Sequence, residues 1–495
     1  MSKFIKKNSI SRREFVKNAA AVTAGFTIVP SFAVSGLGHK APSDKLNIVG
    51  VGIGGMGFHN LKAMETENIV GLCDVDWKYA DHVFKHYPKA KKYKDFRKMY
   101  DEMGKQFDAV LVATADHTHA LVASHAIAMG KHVYVQKPLT HTVYESRLLT
   151  KLAKKHNVAT SMGNQGASGE GVSLVKEWLA NNEIGEVTRV EAFTDRPIWP
   201  QGLPRPEAMT PPDTLDWDLF IGPAKYRPYN EIYTPWNWRG WWDFGTGALG
   251  DMACHILHPV FVGLELGYPN KAQGTSTLLL EDSAPTAQKV SMKFPKRTPS
   301  SKMKINLPEV EVTWYDGGLQ PNKPEGWPDG KDMNNSGGGV IFHGTKDKII
   351  AGTYGKDPWL LSGRKPNAPK LRRRIKLSHE QDWIRACKEN PANRIETASP
   401  FSEAGPFNEM VVMGVLAVRL QTLNKELDWD GKNMRFTNIA DNDQIKIIKK
   451  DNFSIKDGHP TFNKDWTEPV SANAFASELI KHNYRDGWKL PDMPK

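Results

Sequence analysis

One acid and two histidines fall close together in the stretch GDMACHILH, residues 250–258. Asp251 precedes His255 by four positions, and His258 follows three positions after that. Residues three and four apart share one face of a helix, so a helical stretch would bring the three side chains together. The set suits a catalytic acid–histidine pair, a metal site, or ordinary helix polarity, and the spacing alone leaves all three open.

A lysine in the first half of the chain is the other candidate for chemistry. Lys137 follows an apolar run in KHVYVQKP, and Pro138 biases it towards extended backbone. In isolation an exposed lysine at a strand end would be the ordinary interpretation. If the strand belongs to a parallel sheet, however, its carboxyl end borders a ligand crevice, and Lys137 would then line that crevice.

A glycine-rich turn indicates the ligand. In KLNIVGVGIGGMGFHNLKAM an apolar strand runs into G-x-G-x-x-G and a helical stretch, and a second strand ends at Asp74. Such a turn binds a dinucleotide pyrophosphate at the helix N-terminus, and the acid binds the ribose. Asp74, with Asp76 able to share its role, favours NAD, although Lys78 leaves NADP possible. The expected contacts from the turn are Gly52, Gly54, Gly55, Met56 and Gly57.

Strand and helix patterns then alternate up to residue 165. The stretches FDAVLVAT, KHVYVQKP and VATSMGN have the apolar runs of buried strands, with helical patterns between them. The alternation predicts a doubly wound parallel sheet over 45–165, a Rossmann dinucleotide-binding domain. Beyond the carboxyl ends of its strands, further cofactor contacts are expected from Thr114, His119, Gln136, Lys137 and Asn164.

The second half shows strand patterns separated by long irregular segments. TRVEAFTDRP and AQGTSTLLL alternate as half-buried strands, and QKVSMKFP and EVEVTWYD follow them. They predict a C-terminal α/β domain over 166–495 with a large open, mostly antiparallel sheet. Its exposed face is expected to join copies of the chain into a homo-oligomer. The Gly-, Pro- and Asn-rich loop 317–339 predicts a mobile surface excursion or a partial lid.

Tryptophan and arginine are concentrated between residues 196 and 242. Aromatic faces stack on the C–H patches of sugars and arginine binds hydroxyls or a carboxylate, so this density favours a carbohydrate substrate. Half or more of the tryptophans are expected in the core or an interface. The candidate substrate contacts are Arg196, Trp238, Arg239 and His258.

The amino terminus predicts export. Arg12 and Arg13 precede a short, broken apolar run, which is typical of a twin-arginine signal peptide. We therefore expect a signal peptide over 1–33, a linker over 34–44, the twin-arginine export machinery as a partner, and a periplasmic location. Only three cysteines are present, so no disulfide framework is implied.

Composition sets the wider limits. The chain has 495 residues with 40% hydrophobic and 24% charged, typical of a globular protein of two or three domains. The formal net charge is +11, and residues 1–33 hold six Lys or Arg and one acid, which leaves 11 − 5 = +6. This mild excess does not indicate nucleic-acid binding.

Several of these segments together resemble the Gfo/Idh/MocA family of nicotinamide-dependent oxidoreductases. They are VGVGIGGMG, CDVD, VATADHTHA, GKHVYVQKPL and GALGDMACHILHP, and the resemblance is strongest from about residue 45 to 265. Beyond that, ASPFSEAGPFNEMVVMG and YRDGW are similar to exported bacterial members. The family's Glu-Lys-Pro segment and D-x-x-x-H helix imply Lys137, Asp251 and His255 as catalytic residues, without a metal. Gln136 stands where the family usually has Glu.

The resemblance implies an exported NAD(P)-dependent oxidoreductase that transfers a hydride between a sugar or sugar derivative and a tightly bound cofactor. His255 would take the hydroxyl proton, Asp251 would orient the imidazole, and Lys137 would stabilise the alkoxide. The alternative is a glycoside-processing enzyme whose bound NAD is regenerated in each turnover. The family's N-acetylgalactosaminidase branch typically lacks the Lys-Pro pair, so Lys137 argues against simple membership of it. A sugar-binding protein with a vestigial cofactor is a third hypothesis.

Overall fold

The computed structural model describes residues 44–494. The predicted signal peptide, and all of the predicted linker except Asp44, lie outside these described residues. Between residues 44 and 494, no helix combines the length and the apolar character needed to cross a membrane.

A six-stranded parallel sheet forms the first domain and confirms the predicted doubly wound fold. Its spatial order is β3-β2-β1-β4-β5-β6, so the winding reverses between β1 and β4 and opens a crevice beyond their carboxyl ends. The strands are β1 (Asn47–Val51), β2 (Asn68–Cys73), β3 (Lys91–Tyr93), β4 (Ala109–Val112), β5 (His132–Val135) and β6 (Thr160–Met162). The helices are α1 (Phe58–Ala63), α2 (Asp81–His86), α3 (Phe96–Met103), α4 (Asp116–Ala128) and α5 (Val143–His156).

A nine-stranded sheet forms the second domain and is mostly antiparallel, as predicted. Its order is β13-β12-β11-β7-β10-β9-β8-β14-β15, and β7 with β10 is its parallel pair. The strands are β7 (Val187–Thr194), β8 (Lys271–Ser276), β9 (Gln288–Phe294), β10 (Val310–Tyr315), β11 (Gly338–Gly344), β12 (Lys348–Gly352), β13 (Trp359–Leu360), β14 (Leu427–Asp430) and β15 (Arg435–Phe436). The helices are α6 (Glu170–Ala180), α7 (Trp217–Ile221), α8 (Gly247–Ile256), α9 (His258–Gly263), α10 (His379–Lys388) and α11 (Phe401–Arg419).

The long helix α11 covers the inner face of the second sheet. It packs on β8 and β9, and a Cβ at Gly274 in β8 would lie 2.5 Å from the backbone of Val418. A glycine is therefore required where strand and helix approach this closely. Helix α8 packs against the same helix, and Gly414 lies against Leu249. This packing fixes the position of α8, which carries Asp251 and His255.

The chain returns to the first domain late in the sequence. Helix α10 lies against the first sheet, where Trp383 and Ile384 join the same apolar cluster as Ile48 and Leu61. The first sheet is thus covered on one face by a helix from the second half of the chain. The domain boundary at 165/166 stays a prediction. Helix α10 follows this boundary in the sequence, yet it packs on the first domain.

The outer face of the second sheet is polar along much of its width. Charged residues such as Arg189 and Lys289 lie exposed on it, whereas Phe193 and Ile341 near one end are buried with Met333 of the loop 317–339. That loop lines no part of the main cavity, so the prediction of a partial lid is wrong: its apolar side chains bind the sheet instead. Association of copies through this face stays a prediction.

A last group of elements follows α11. Two short strands, β16 (Gln444–Ile445) and β19 (Val470–Ser471), pair with each other and precede helix α12 (Ala472–Ile480). Between them, β17 (Ile448–Lys456) and β18 (His459–Trp466) form a separate two-stranded antiparallel hairpin. Every residue of β18 is exposed.

Candidate active site

The glycine turn after β1 lies against the end of β4. Gly52 has φ +77°, and a Cβ there would lie 2.6 Å from the backbone of Ala113 and Thr114. A Cβ on Gly57 would lie 2.3 Å from the carbonyl oxygen of Gly52. Both positions therefore need glycine, since any side chain would collide with backbone. Gly57 serves the folding of the turn and does not itself line the cavity.

Tyr79 covers the outer side of this turn and was missed by the sequence analysis. A Cβ on Gly54 would lie 2.3 Å from the Tyr79 ring, and a Cβ on Gly55 would lie 2.9 Å from its hydroxyl. The ring is placed by Asp76, whose carboxylate accepts hydrogen bonds from the backbone N–H groups of Lys78 and Tyr79. The acid three residues before the aromatic was the signal that could have found it.

Asp74 at the end of β2 holds the glycine turn in place. Its Oδ2 accepts hydrogen bonds from the N–H groups of Ile53 and Gly54, at 2.9 and 3.0 Å, and its Oδ1 accepts one from Asp76 at 3.0 Å. Three of about four acceptor positions are thus filled, which leaves one for a ribose hydroxyl. Burial raises the pKa of Asp74 to about 6, against the effect of these hydrogen bonds.

A cavity of about 400 Å³ opens beside this turn, within the usual range of ligand pockets. Its walls come from both parts of the chain. The first domain contributes the predicted cofactor contacts Gly52, Gly54, Gly55, Met56, Asp74, Thr114, Gln136 and Lys137. The second domain contributes the predicted catalytic and substrate residues Arg196, Trp238, Arg239, Asp251 and His255.

Two predicted cofactor contacts lie behind this wall. His119 is buried, and its ring nitrogens lie 2.8 Å from the carbonyl oxygen of Pro138 and 3.0 Å from that of Thr114. It therefore ties the ends of β4 and β5 together and positions Lys137, because α4 turns its side chain inward. Asn164 is likewise buried and outside the cavity lining, and its amide has no hydrogen-bond partner among residues 44–494. Neither residue lines the cavity, so their contacts with a cofactor stay a prediction.

His258, which was predicted to contact the substrate, does not line the cavity. It begins α9 on the far side of His255, is 1% exposed, and lies with Nε2 2.9 Å from Glu403 Oε1. Asp251, His255 and His258 therefore do not converge as one ligand set. Across the described part of the chain, no group of three or more His, Cys, Asp and Glu side chains is placed to hold a metal ion.

Asp251 pairs with two positively charged side chains. Its Oδ1 accepts hydrogen bonds from Lys137 Nζ at 2.7 Å and from Arg239 Nε at 3.1 Å. Although burial opposes its ionisation, the charges of Lys137 and Arg239 hold the pKa of Asp251 well below its usual range. The carboxylate thus positions Lys137 directly and acts on His255 through its charge, which corrects the simple picture of an Asp251–His255 pair.

His255 is a neutral imidazole in the cavity wall. It is 5% exposed, and its Nδ1 has no hydrogen-bond partner among the described residues. Burial and the positive charge of Lys137 lower the pKa of His255 to about 3, although Asp251 opposes this. An uncharged histidine beside a lysine is available to accept a proton from a bound hydroxyl.

Tyr354 packs on this histidine and is a second residue that the sequence analysis missed. Its ring centroid lies 4.5 Å from that of His255, and it lines the cavity. Its φ of 66° is unusual for a side chain of this size, and such backbone strain is concentrated at functional sites. The only signal in the sequence was the flanking glycines of GTYG after β12.

Arg239 is clamped between two indole rings. Its guanidinium carbon lies 3.9 Å from the Trp236 ring centroid and 4.2 Å from that of Trp238. Because Arg239 also pairs with Asp251, it orders the cavity wall as well as offering a substrate contact. By contrast, Trp217, Trp241 and Trp242 belong to apolar clusters, which confirms that half of these tryptophans are structural.

The end of the cavity beside β3, away from Lys137 in the strand order, is largely apolar, although Lys94 and Asp95 also line it. Phe96, Val122, Leu219 and Phe220 line it, together with Trp488 from the C-terminal segment. Trp488 is fixed by Arg97, whose guanidinium carbon lies 4.0 Å from its ring centroid. This gives the YRDGW segment a place in the site that the sequence analysis did not assign.

The residues present fit a nicotinamide dinucleotide. The cavity joins an apolar end suited to adenine, an acid with a free acceptor position, a glycine-rich backbone turn, and the polar group around Lys137. These groups follow the order in which such a cofactor crosses the reversal point of an open α/β sheet.

Comparison with known proteins agrees with this architecture. Residues 45–164 match the NAD-binding Rossmann fold of an oxidoreductase family, and residues 178–296 match the C-terminal alpha/beta domain of the same family. The chain carries both domains of the Gfo/Idh/MocA oxidoreductase family. The Gfo/Idh/MocA matches end at residue 296, so Tyr354 and Trp488 lie beyond them.

Two curated relatives illustrate the range of proteins that the chain resembles. The alpha-N-acetylgalactosaminidase of Shewanella oneidensis is 26% identical over 212 residues, which cover 37% of this chain and 46% of the relative. The levoglucosan dehydrogenase of Pseudarthrobacter phenanthrenivorans is 27% identical over 164 residues, which cover 33% of this chain and 34% of the relative. The chain thus spans less than half the length of these relatives.

A solved structure extends the likeness in fold. The WlbA dehydrogenase of Bordetella pertussis, solved with NADH and UDP-GlcNAcA, superposes with a TM-score of 0.53 and 14% identity. The superposition covers 78% of this chain and 99% of that one. At this identity the likeness concerns the fold alone.

Proposed function

We propose that this protein transfers a hydride between a nicotinamide cofactor and a hydroxyl-bearing or keto carbon of a sugar or sugar derivative. The observation that carries the proposal is the single cavity shared by the glycine turn, Asp74, Lys137 and His255. It places a lysine and a neutral histidine at the end of a dinucleotide-binding crevice. The levoglucosan dehydrogenase among the relatives supports a sugar as the substrate class.

The side chains in this cavity suit the proton half of such a reaction. Lys137 Nζ has three N–H donors, and two are used by the carboxylate and the backbone oxygen of Asp251. The third is free to bind the substrate oxygen and to stabilise it as the alkoxide forms. His255 then accepts the hydroxyl proton, and the hydrogen bond from Lys137 Nζ to Asp251 holds the lysine in position. When bound, the nicotinamide would accept the hydride from the carbinol carbon.

The aromatic wall supports a carbohydrate. Trp236 is 49% exposed beside the cavity, and Trp199 and Trp238 line it. Indole faces bind the C–H side of sugar rings, and Arg196 in the same lining is suited to hydroxyls or to a carboxylate.

NAD rather than NADP, and tight retention, are part of the proposal. The remaining acceptor position of Asp74 favours a ribose hydroxyl, because a carboxylate repels a 2′-phosphate. Lys78 nearby leaves NADP as the second possibility. Retention is supported by Trp488, which adds an aromatic wall from the C-terminal segment to the apolar end of the cavity.

The direct test uses the purified protein. On denaturation it is expected to release NAD(H) in about equimolar amount, identified by mass spectrometry. Loaded with NAD⁺ and offered a panel of sugars and sugar acids, it should form one reduced cofactor for each oxidised sugar. Release of no nucleotide, together with no NAD(H) binding on titration, would contradict the proposal.

A glycoside-processing enzyme with internally regenerated NAD is the second candidate. It is favoured by the similarity to the alpha-N-acetylgalactosaminidase over 212 residues. Lys137 argues against it, because the N-acetylgalactosaminidase branch of the family typically lacks the Lys-Pro pair. In the same experiment this activity would release a free sugar from a glycoside while the cofactor remained oxidised on average.

Export through the twin-arginine machinery to the periplasm remains our proposal for location. Replacing Arg12 and Arg13 together by lysine is expected to leave the precursor in the cytoplasm, because that pathway recognises the arginine pair. Fractionation and immunoblotting measure the result. The matched control is Lys6→Arg with Lys7→Arg, which should be exported normally. Normal export of the Arg12→Lys, Arg13→Lys protein would refute the proposal.

A further inference from the structure

The hairpin of β17 and β18 stands apart from both sheets. It is attached at its base, where Ile448 forms a bridge with Leu280 and Thr467 N–H donates to the carbonyl oxygen of Ile447. Beyond this base its strands pair only with each other among the described residues, through the turn at Asp457 and Gly458. At about 3.3 Å per residue, strands of this length reach roughly 25 Å into solvent.

The two faces of the hairpin differ sharply in polarity. The register places Phe453 opposite Phe462 and Ile455 opposite Pro460, all on one face. Alternation adds Trp466 to this face, with the Asp451–Lys464 pair between it and the phenylalanines. The opposite face carries Lys450, Asn452, Ser454 and Lys456 on β17, and Thr461, Asn463 and Asp465 on β18. We call Phe453, Ile455, Phe462 and Trp466 the apolar face of the hairpin.

This apolar face is open to solvent. Phe453, Ile455 and Phe462 are 64%, 69% and 72% exposed, and Trp466 is 41% exposed. An isolated two-stranded hairpin is at best marginally stable in water, and it needs a third layer to bury an apolar face. A strand pair with one apolar and one polar face is the pattern of a ribbon that is covered on one side.

The exposed area supplies the centre of a specific contact but not the whole of it. The four side chains expose on the order of 100 Å² each, together about 400 Å², which is the size of patch that marks an interaction site. Two such faces packed together would bury about 800 Å². A standard interface needs at least about 1,200 Å² in total, so flanking residues at the base of each hairpin would have to join the contact.

The charges around the face point to a like partner. Lys464 and Asp451 lie across the strands 2.9 Å apart beside Phe453 and Phe462, so the face has no net charge. Residues 448–466 contain four lysines and three aspartates, which is too balanced for attraction to an anionic membrane surface. Two copies of this face would not repel each other, and Lys464 and Asp451, which carry opposite charges, would complement the same pair of a copy turned by a two-fold axis.

We propose that the β17–β18 hairpin is a dimerisation arm whose apolar face packs against the same face of a second copy of this chain. The two arms then form a four-stranded, two-layer contact around a two-fold axis. This surface is separate from the polar outer face of the second sheet, and the proposal does not depend on the enzymatic activity.

The first experiment measures the mass of the protein in solution by light scattering and sedimentation over a range of concentrations. The wild-type chain is expected to be a dimer, and Phe462→Asp should raise its dissociation constant by about 100-fold or more, since each dimer loses two buried aromatic rings and gains two charges. Thr461→Asp adds the same charge on the polar face of the same strand and should leave the dimer intact. A thermal melt checks that each variant remains folded.

The second experiment uses the cysteine content of the chain. Its three cysteines, Cys73, Cys254 and Cys387, are buried, so an added surface cysteine reacts selectively. Phe462→Cys should form a covalent dimer under mild oxidation, and Thr461→Cys should not. A monomeric wild-type protein would overturn the proposal. A dimer that survives Phe462→Asp and is not cross-linked through Phe462→Cys would overturn it too, and would move the interface to another surface such as the second sheet.

Discussion

His255→Ala is expected to lower turnover by about 10²–10⁴-fold, the usual contribution of a positioned general base. The affinity for NAD should be nearly unchanged, since the glycine turn and Asp74 lie on the first domain, away from α8. Turnover with NAD⁺ on a sugar that the wild-type protein oxidises, and the dissociation constant for NAD measured by calorimetry, check the two halves of this expectation. Nearly full activity in the variant would refute the role of His255 as the base.

The pH profile adds a second measurement of the same histidine. Because burial and Lys137 lower its pKa to about 3, the wild-type kcat/KM should show no acid inflection near the ordinary histidine value of about 6.5. His258→Gln is the matched control. It changes the neighbouring histidine, which binds Glu403 and does not line the cavity, so it should cost stability but retain most of the turnover.

Lys137→Met is expected to damage both stability and turnover. Its ammonium pairs with Asp251, and the two side chains are 15% and 13% exposed. Removing one member of a buried pair leaves a poorly compensated charge at a cost of about 3–5 kcal/mol. Because Arg239 still binds Asp251, we expect about 2–3 kcal/mol in the free energy of unfolding. Turnover should fall by about as much as in His255→Ala, since the substrate oxygen loses its donor.

A double variant separates the two effects. Lys137→Met with Asp251→Asn removes the stranded carboxylate, and an amide oxygen can still accept a hydrogen bond from Arg239, although that guanidinium loses its counter-charge. The double variant should therefore recover part of the lost stability without recovering turnover. Chemical denaturation and steady-state kinetics measure the cycle. Lys131→Met, at the other end of β5, removes a lysine that binds the carbonyl oxygen of Phe107 outside the cavity, and it should keep full turnover. Equal activity of Lys137→Met and Lys131→Met would contradict the assignment of Lys137.

The Lys137→Met variant also reports on His255. In Lys137→Met the positive charge that lowers the pKa of His255 is gone, so that pKa should move up towards its ordinary value. Residual activity would then be lost on the acid side at higher pH than in the wild-type protein. An unchanged pH profile would indicate that Lys137 and His255 do not share a site.

Local patterns in the chain were enough to predict the sheets. Continuous apolar runs identified β1, β4 and β5 because strands buried on both faces must be apolar throughout. The glycine spacing identified the cofactor turn, since Gly52 and Gly57 are required by backbone contacts within a few residues of each other or with the adjacent strand. Alternating patterns likewise identified β7, β9 and β10 of the second sheet.

The positions of single side chains were harder to predict. His119 and His258 have the residue type of site residues, yet α4 turns the first inward towards Pro138 and α9 directs the second to Glu403. Sequence spacing predicts which residues share a helix face, but it does not state what that face will meet. The prediction of a loop lid failed for the same reason, because the partner of Met333 lies on a distant strand.

The choice of Lys137, Asp251 and His255 as the reacting group came from the family resemblance and stays a prediction. The sequence by itself determined the two-domain α/β plan and the dinucleotide turn with Asp74. Each depends on contacts between near neighbours in the chain, which residue type and spacing encode directly. Only the tertiary structure decided that Asp251 binds Lys137 and Arg239, that Tyr354 packs on His255, and that Trp488 closes the apolar end of the cavity. These contacts join residues more than ten and in some cases hundreds of positions apart, so they exist only once both sheets and the C-terminal segment have packed.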